Sequence, residues 1–231
     1  MGDDFAGEFR VNVKGEFGPF ETTAPERWYD SSARTLSAIN SATVDKAVET
    51  APQTFKNADL AKLPPNERLM LGHALVLGGH LDDAWTVLAG AAEEASKDNA
   101  DFAQWIWCSA AWAAWLGHDE AKLKQATDKV FSVVAADRAK RDAWNVRHWF
   151  AAWLLGEATD DELVANCTRE PWNCGAPFFV AERLLRDGKL NEAKAAYEHC
   201  VKLCGAGGQW PLGWAVWRFK QIGASRSQRA Q

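Results

Sequence analysis

Four cysteines hold the residue types and spacings in this chain that could do metal or redox chemistry. Cys167 and Cys174 stand near the two ends of the stretch NCTREPWNCG at 166–175, and Cys200 and Cys204 share one face of a helix at i, i+4. Folded together, they could offer zinc a tetrahedral sulfur set. The CxxC pairs that mark such sites are absent, so two other readings stand beside zinc. One is one or two disulfides in an oxidising compartment. The other is buried free thiols, since Cys200 falls where a small apolar residue is wanted and a free thiol serves as one. His199 is adjacent to Cys200 but points off that face. Cys108 lies on a tryptophan stripe and reads as core. Five cysteines, odd in number and scattered, do not make a disulfide framework. The expectation is a chain without cofactor or metal.

Nucleophilic and acid–base chemistry finds less support. The chain has no Gly-rich phosphate loop, no HExxH and no GxSxG. His80 and His118 each follow a glycine at equivalent places, which makes them exposed turn residues. The pairs Asp82-Asp83 and Asp160-Asp161 suit helix N-termini, where carboxylates meet free N–H groups and a positive dipole. The expectation is a protein that is not an enzyme.

Binding chemistry has two candidates. The first is the tryptophan set, 13 residues against two Tyr. Trp105, Cys108, Trp112 and Trp115 recur at i, i+3, i+7 and i+10, a helical stripe, with Ala110, Ala111, Ala113 and Ala114 opposite. Trp149 and Trp153 are one turn apart, as are Trp210 and Trp214, with Trp217 following. These indoles are either large plates filling the core or the lining of a concave groove. Trp107 and Trp144 lie off the main stripes and are the indoles expected to be exposed and to touch a ligand. The second candidate is the basic stretch Arg138, Lys140, Arg141, Arg147 and His148. It could clamp a carboxylate, from an acidic motif or a peptide C-terminus, through bidentate arginine contacts. Asp137 and Asp142 are interleaved with it, so a solvated mixed-charge face is the competing reading.

Composition narrows the classes. Apolar residues at 47% and charged residues at 25% suit a water-soluble fold with a sizeable core. A formal charge of −5 argues against nucleic acid or an acidic membrane as partner. No run reaches the 18 apolar residues of a membrane span. The opening MGDDFAGEF has neither a basic start nor an apolar run, so no signal peptide is expected there. A cytoplasmic location is the preferred expectation. A leader removed beforehand would leave the same start, so an extracytoplasmic origin stays open.

These groups must be positioned by helices. Residues 1–25 have no helical period; Phe9, Val11 and Val13 alternate with polar residues, and the arm reads as extended or disordered. A leading helical segment covers 26–62, with Leu36, Ile39, Val44, Val48 and Phe55 inward and Pro52 breaking it. Between 63 and 207 one landmark recurs: a helix ending in Gly, then a helix opening with carboxylates or Asn-Glu. The glycines are Gly79, Gly117, Gly156 and Gly188, spaced 38, 39 and 32 residues apart. Gly relieves the left-handed turn at a helix C-terminus, and Thr159 with Glu162 fits a capping box. The third hairpin's second helix must be short, because 166–175 reads as a loop containing Pro171. Pro211 opens a closing helix over 208–223, and 224–231 reads as a disordered tail.

Such a period resembles that of tetratricopeptide repeats. The first hairpin has Leu71-Gly72-x₂-Leu75, then Ala84-x₃-Leu88 and Ala91. The last has Val180-Ala181-x₂-Leu184, then Ala193-x₃-Tyr197 and Cys200. Arg68 and Pro177 take the family's Trp position, and Ser96 and Gly205 replace its closing Pro. The middle two hairpins fit less well. The resemblance implies an all-α, right-handed helical-hairpin solenoid of about four repeats with a C-terminal capping helix. It also implies an adaptor that binds a protein or peptide on its concave face, Trp107 and Trp144 taking apolar anchors and Arg138–Arg147 an acidic or C-terminal carboxylate group. The alternative is an envelope protein holding a small ligand or metal through the Trp groove or the Cys cluster. Self-assembly through exposed repeat faces is a third reading.

Overall fold

The computed structural model describes residues 41–133, 135–167, 172–205 and 212–229. The arm at 1–25 and the first part of the leading segment lie outside them. All regular structure among the described residues is helical: α1 (Ser41–Asn57), α2 (Pro65–Leu77), α3 (Leu81–Ala95), α4 (Ala100–Leu116), α5 (Glu120–Val133), α6 (Val146–Leu154), α7 (Asp160–Asn166), α8 (Trp172–Arg186), α9 (Leu190–Gly205) and α10 (Leu212–Arg229). Short 3-10 turns add Leu60–Lys62 and Arg141–Ala143. No described helix is long and apolar enough to cross a membrane.

Four helices close alike. His80 N–H donates to the Leu75 carbonyl at 2.9 Å, Asp119 to Ala114 at 3.0 Å, Glu157 to Ala152 at 2.8 Å and Lys189 to Leu184 at 2.9 Å. Inside each runs a second bond: Gly79 to Val76, His118 to Trp115, Gly156 to Trp153 and Gly188 to Leu185. This double closure needs one left-handed residue. It falls on Gly79 (φ 80), His118 (φ 55), Gly156 (φ 76) and Gly188 (φ 75). The second hairpin therefore turns on His118, not on Gly117, whose φ of −78 is helical. The true landmarks are 39, 38 and 32 residues apart.

The described residues form two compact units, one within Ala47–Asn166 and the other joining the described residues up to Lys46 with those from Cys167 onward. In the first, α2 packs on α3, α4 on α5 and α6 on α7, while α2 meets α4 and α4 meets α6. Helix α4 is buried from Ala103 to Trp115 on nearly every face except at Trp105, as its all-round apolar sequence requires. Asn99 caps it by accepting from Phe102 N at 3.0 Å. Close approach of α2 and α3 depends on Gly72, where a Cβ would stand 2.5 Å from Leu88 Cδ2. The capping box at α7 forms as expected: Thr159 N–H donates to Glu162 Oε2 at 2.8 Å and Glu162 N–H to Thr159 Oγ1 at 3.2 Å. That bonding, helped by Arg141, holds the Glu162 carboxyl below its ordinary range.

In the second unit α9 packs against both α8 and α10. Phe178, Tyr197 and Trp214 form its aromatic centre, with ring centroids 5.9–6.0 Å from Phe178. Trp217 Nε1 donates to Asp45 Oδ1 at 2.7 Å, tying α10 to the start of α1.

Three boundaries differ from expectation. Pro52 lies inside α1 and does not end it, because a proline costs a helix one backbone bond and some strain, which neighbouring turns can carry. Helix α8 begins at Trp172, within the stretch read as a loop, and continues through Pro177. Pro177, inside the second turn, forfeits the backbone bond to Asn173 without ending the helix. Helix α10 extends to Arg229, so 224–229 is helical rather than disordered; Ala, Arg and Gln are good helix formers.

Candidate functional site

Trp107 and Trp144, expected at the surface, are 1% and 8% exposed. A stripe analysis assumes one buried face, whereas α4 is covered on both sides, so a residue off its stripe is still interior. Trp107 lies tilted against Trp85, ring centroids 6.3 Å apart. Trp144 meets Phe131 edge-on at 5.4 Å and Trp149 at 5.0 Å, and its indole N–H donates to the Asp137 carbonyl at 3.1 Å. Trp112, Trp115, Trp149, Trp153, Trp214 and Trp217 are buried as well. The indoles thus fill the core, and each edge or tilted ring pair adds about 0.5–1.5 kcal/mol to its area burial. Trp85 and Trp105 are the two indoles among the described residues that keep partial exposure.

The basic stretch splits in two. Arg147 and His148 belong to α6 and turn inward. Asn145 caps α6 and His148 completes its capping box, its Nδ1 accepting from Asn145 N–H at 3.1 Å. Nε2 of His148 lies 2.9 Å from the Gln104 side-chain nitrogen, which also donates to the Val130 carbonyl at 2.9 Å. Arg147 makes a bidentate pair with Asp101 at 2.7 and 3.2 Å. These two residues stitch α6 to α4.

Arg138, Lys140 and Arg141 remain near the surface, on the connection between α5 and α6. The Arg138 guanidinium lies over Phe131 at 4.4 Å, and Arg141 over Trp144 at 5.3 Å. Each cation is already answered: Arg138 by Asp128 at 2.8 Å and Glu157 at 3.7 Å, Lys140 by Asp137 at 3.7 Å, Arg141 by Glu162 at 3.1 Å. Four carboxylates face three cations, so the stretch is a mixed-charge face.

The cysteines are equally settled where they are described. Cys108, Cys167 and Cys200 are buried. Burial pushes the Cys167 and Cys200 thiols up to about 12, so both are protonated and poor nucleophiles at neutral pH. The side chains of Cys174 and Cys204 lie outside the described set. Among the described residues no group of three His, Cys, Asp or Glu side chains could hold a metal ion.

Two features were not singled out from sequence. Between α3 and α5, Trp85 is bordered by two interhelical ion pairs, Lys122 with Asp82 at 2.6 Å and Lys129 with Glu93 at 2.9 Å. The Lys122 ammonium lies 6.0 Å from the Trp85 ring and that of Lys129 5.7 Å from Trp107. The second feature is Arg68 on α2, 5% exposed, whose one polar side-chain partner among the described residues is Glu94 on α3. The only sequence signal for Arg68 was a charge standing at the aromatic position of the repeat pattern. No protein-family model, curated protein or solved structure matches the chain. The functional reading therefore rests on geometry.

Proposed function

We propose that the chain is a non-enzymatic binding scaffold, a tetratricopeptide-like stack of helical hairpins that holds a protein or peptide partner. The observation that most supports this is the repetition of one backbone closure at the ends of α2, α4, α6 and α8. Successive hairpins of this kind stack by nearest-neighbour contacts and present extended binding faces. Because α2, α4 and α6 are interior along most of their lengths, the contact surface is assigned to α3 and α5. There Trp85 offers an apolar plate of the type enriched in binding hot spots, and the Lys122–Asp82 and Lys129–Glu93 pairs offer charges of both signs.

A photo-crosslinking residue at Thr86, exposed and next to Trp85, tests this in the source cells, with Val164 on α7 as a control position. The expected result is one discrete protein crosslinked from position 86 and lost in Trp85→Ala. Crosslinking from 164 alone would discard the α3–α5 face. A chain that carries only a small molecule and crosslinks to no protein would overturn the scaffold reading.

A further inference from the structure

We infer that Arg68 is an oxyanion-binding residue, reached past Gly90 and held in reserve by Glu94. The inference deepens the scaffold reading and rests on it: the oxyanion is the carboxylate or phosphate group by which the bound molecule is fixed.

A guanidinium has five N–H donors in a rigid fork. The Arg68 side chain is 6% exposed, and its guanidinium spends one nitrogen, NH2, on Glu94. Its Nε is buried with no partner, and no hydrogen bond joins NH1 to any described residue. A buried guanidinium with an unpaired Nε is costly unless a further partner strengthens its remaining contacts, and NH1, which is not buried in this way, is the donor open to one. The opening lies at Gly90, an exposed residue in the middle of α3. A Cβ built there would have Arg68 NH1, at 3.8 Å, as its one neighbour within 4 Å. Glycine disfavours a helix interior more than any residue but proline, yet here its missing side chain leaves NH1 uncovered. Glu94 follows Gly90 by one helical turn, on the same face, and its side chain is 45% exposed. It can swing into water and free the NH1–NH2 edge, which matches the two oxygens of a carboxylate or phosphate.

The full-length protein, with the ¹⁵Nε–¹Hε resonance of Arg68 assigned by its loss in Arg68→Met, is titrated with inorganic phosphate and separately with acetate. A saturable shift of that resonance and a raised melting midpoint are expected. Phosphate alone acting would identify a phosphorylated ligand, and both acting would identify a carboxylate. Glu94→Gln should tighten binding roughly fivefold or more, as removal of an internal competitor does. Gly90→Leu should abolish binding without lowering the melting midpoint, which separates site loss from unfolding. An unmoved resonance in both titrations, unchanged affinity in Glu94→Gln, or intact binding in Gly90→Leu would each overturn the inference. If these fail while Thr86 still crosslinks a protein partner, Arg68 loses its role and the scaffold reading stands.

Discussion

Arg218 on α10 lays its guanidinium along the carboxylate of Glu182 on α8, Nε 2.8 Å from Oε1 and NH2 3.2 Å from Oε2. Tyr197 on α9 donates to the same Oε1 at 2.5 Å, so three helices converge on a carboxylate that is 2% exposed. Burial works against the charge on Arg218, and Glu182 more than restores it. Burial and the Glu182 charge together push the Tyr197 phenol well up, so it remains a donor.

Removing one partner strands the other. Arg218→Met should cost about 3–5 kcal/mol in urea unfolding, whereas the double change with Glu182→Leu should cost far less. Tyr197→Phe should cost about 1 kcal/mol. Equal losses in the single and double variants would show that the pair is not energetically coupled.

Gly72 and Leu88 define the closest approach of α2 and α3. Gly72→Ala should cost about 1–3 kcal/mol through overpacking. Combining it with Leu88→Ala should cost less than the sum, because the added methyl then enters the space vacated by leucine. An additive result by chemical denaturation would mean the backbone shifts to relieve the clash.

His118 occupies a left-handed turn that glycine occupies in the other three hairpins. His118→Gly should therefore stabilise the protein by about 1 kcal/mol, and Gly79→Ala should destabilise it by a similar amount. The pair of opposite signs, read by melting midpoint, tests whether the four turns are equivalent.

Burial holds the His73 imidazole down at about 3, against an ordinary 6.5. Its Nε2 lies 2.8 Å from Ser109 Oγ between α2 and α4. The unfolded chain takes up this proton below pH 6.5 while the folded one refuses it until about pH 3. Stability is therefore full above pH 6.5 and falls as pH drops, by about 2 kcal/mol at pH 5. Unfolding at pH 7.5 and pH 5 should show this slope, and His73→Leu should flatten it.

The helical hairpins were legible because the information is local. A left-handed turn residue, carboxylates after it and a 3.6-residue apolar period all act within a few positions of one another. The pattern marked Gly72 and Leu88 as positions of interest, and their contact across the hairpin was seen only in the fold. The second turn slipped by one residue because Gly117 is the helix's last αR residue and a histidine took the strained position.

The candidate site was not legible, for a reason of dimension. Periodicity assigns a residue to a face of its own helix but not to the number of neighbours that helix has, so Trp107 became interior only when α4 was covered from several sides, while Trp144, on the connection before α6, is buried against Phe131 and Trp149. Charge likewise reads as free in one dimension. Arg138 finds Asp128, Arg141 finds Glu162 and Arg147 finds Asp101 at separations of 10, 21 and 46 residues, and Arg68 meets Glu94 across 26. Sequence alone determined the helices and their turns through short-range sterics and hydrogen bonding. Tertiary structure decided which indoles stay near water and which cations keep unused donors, because burial and ion pairing depend on distances that only packing sets.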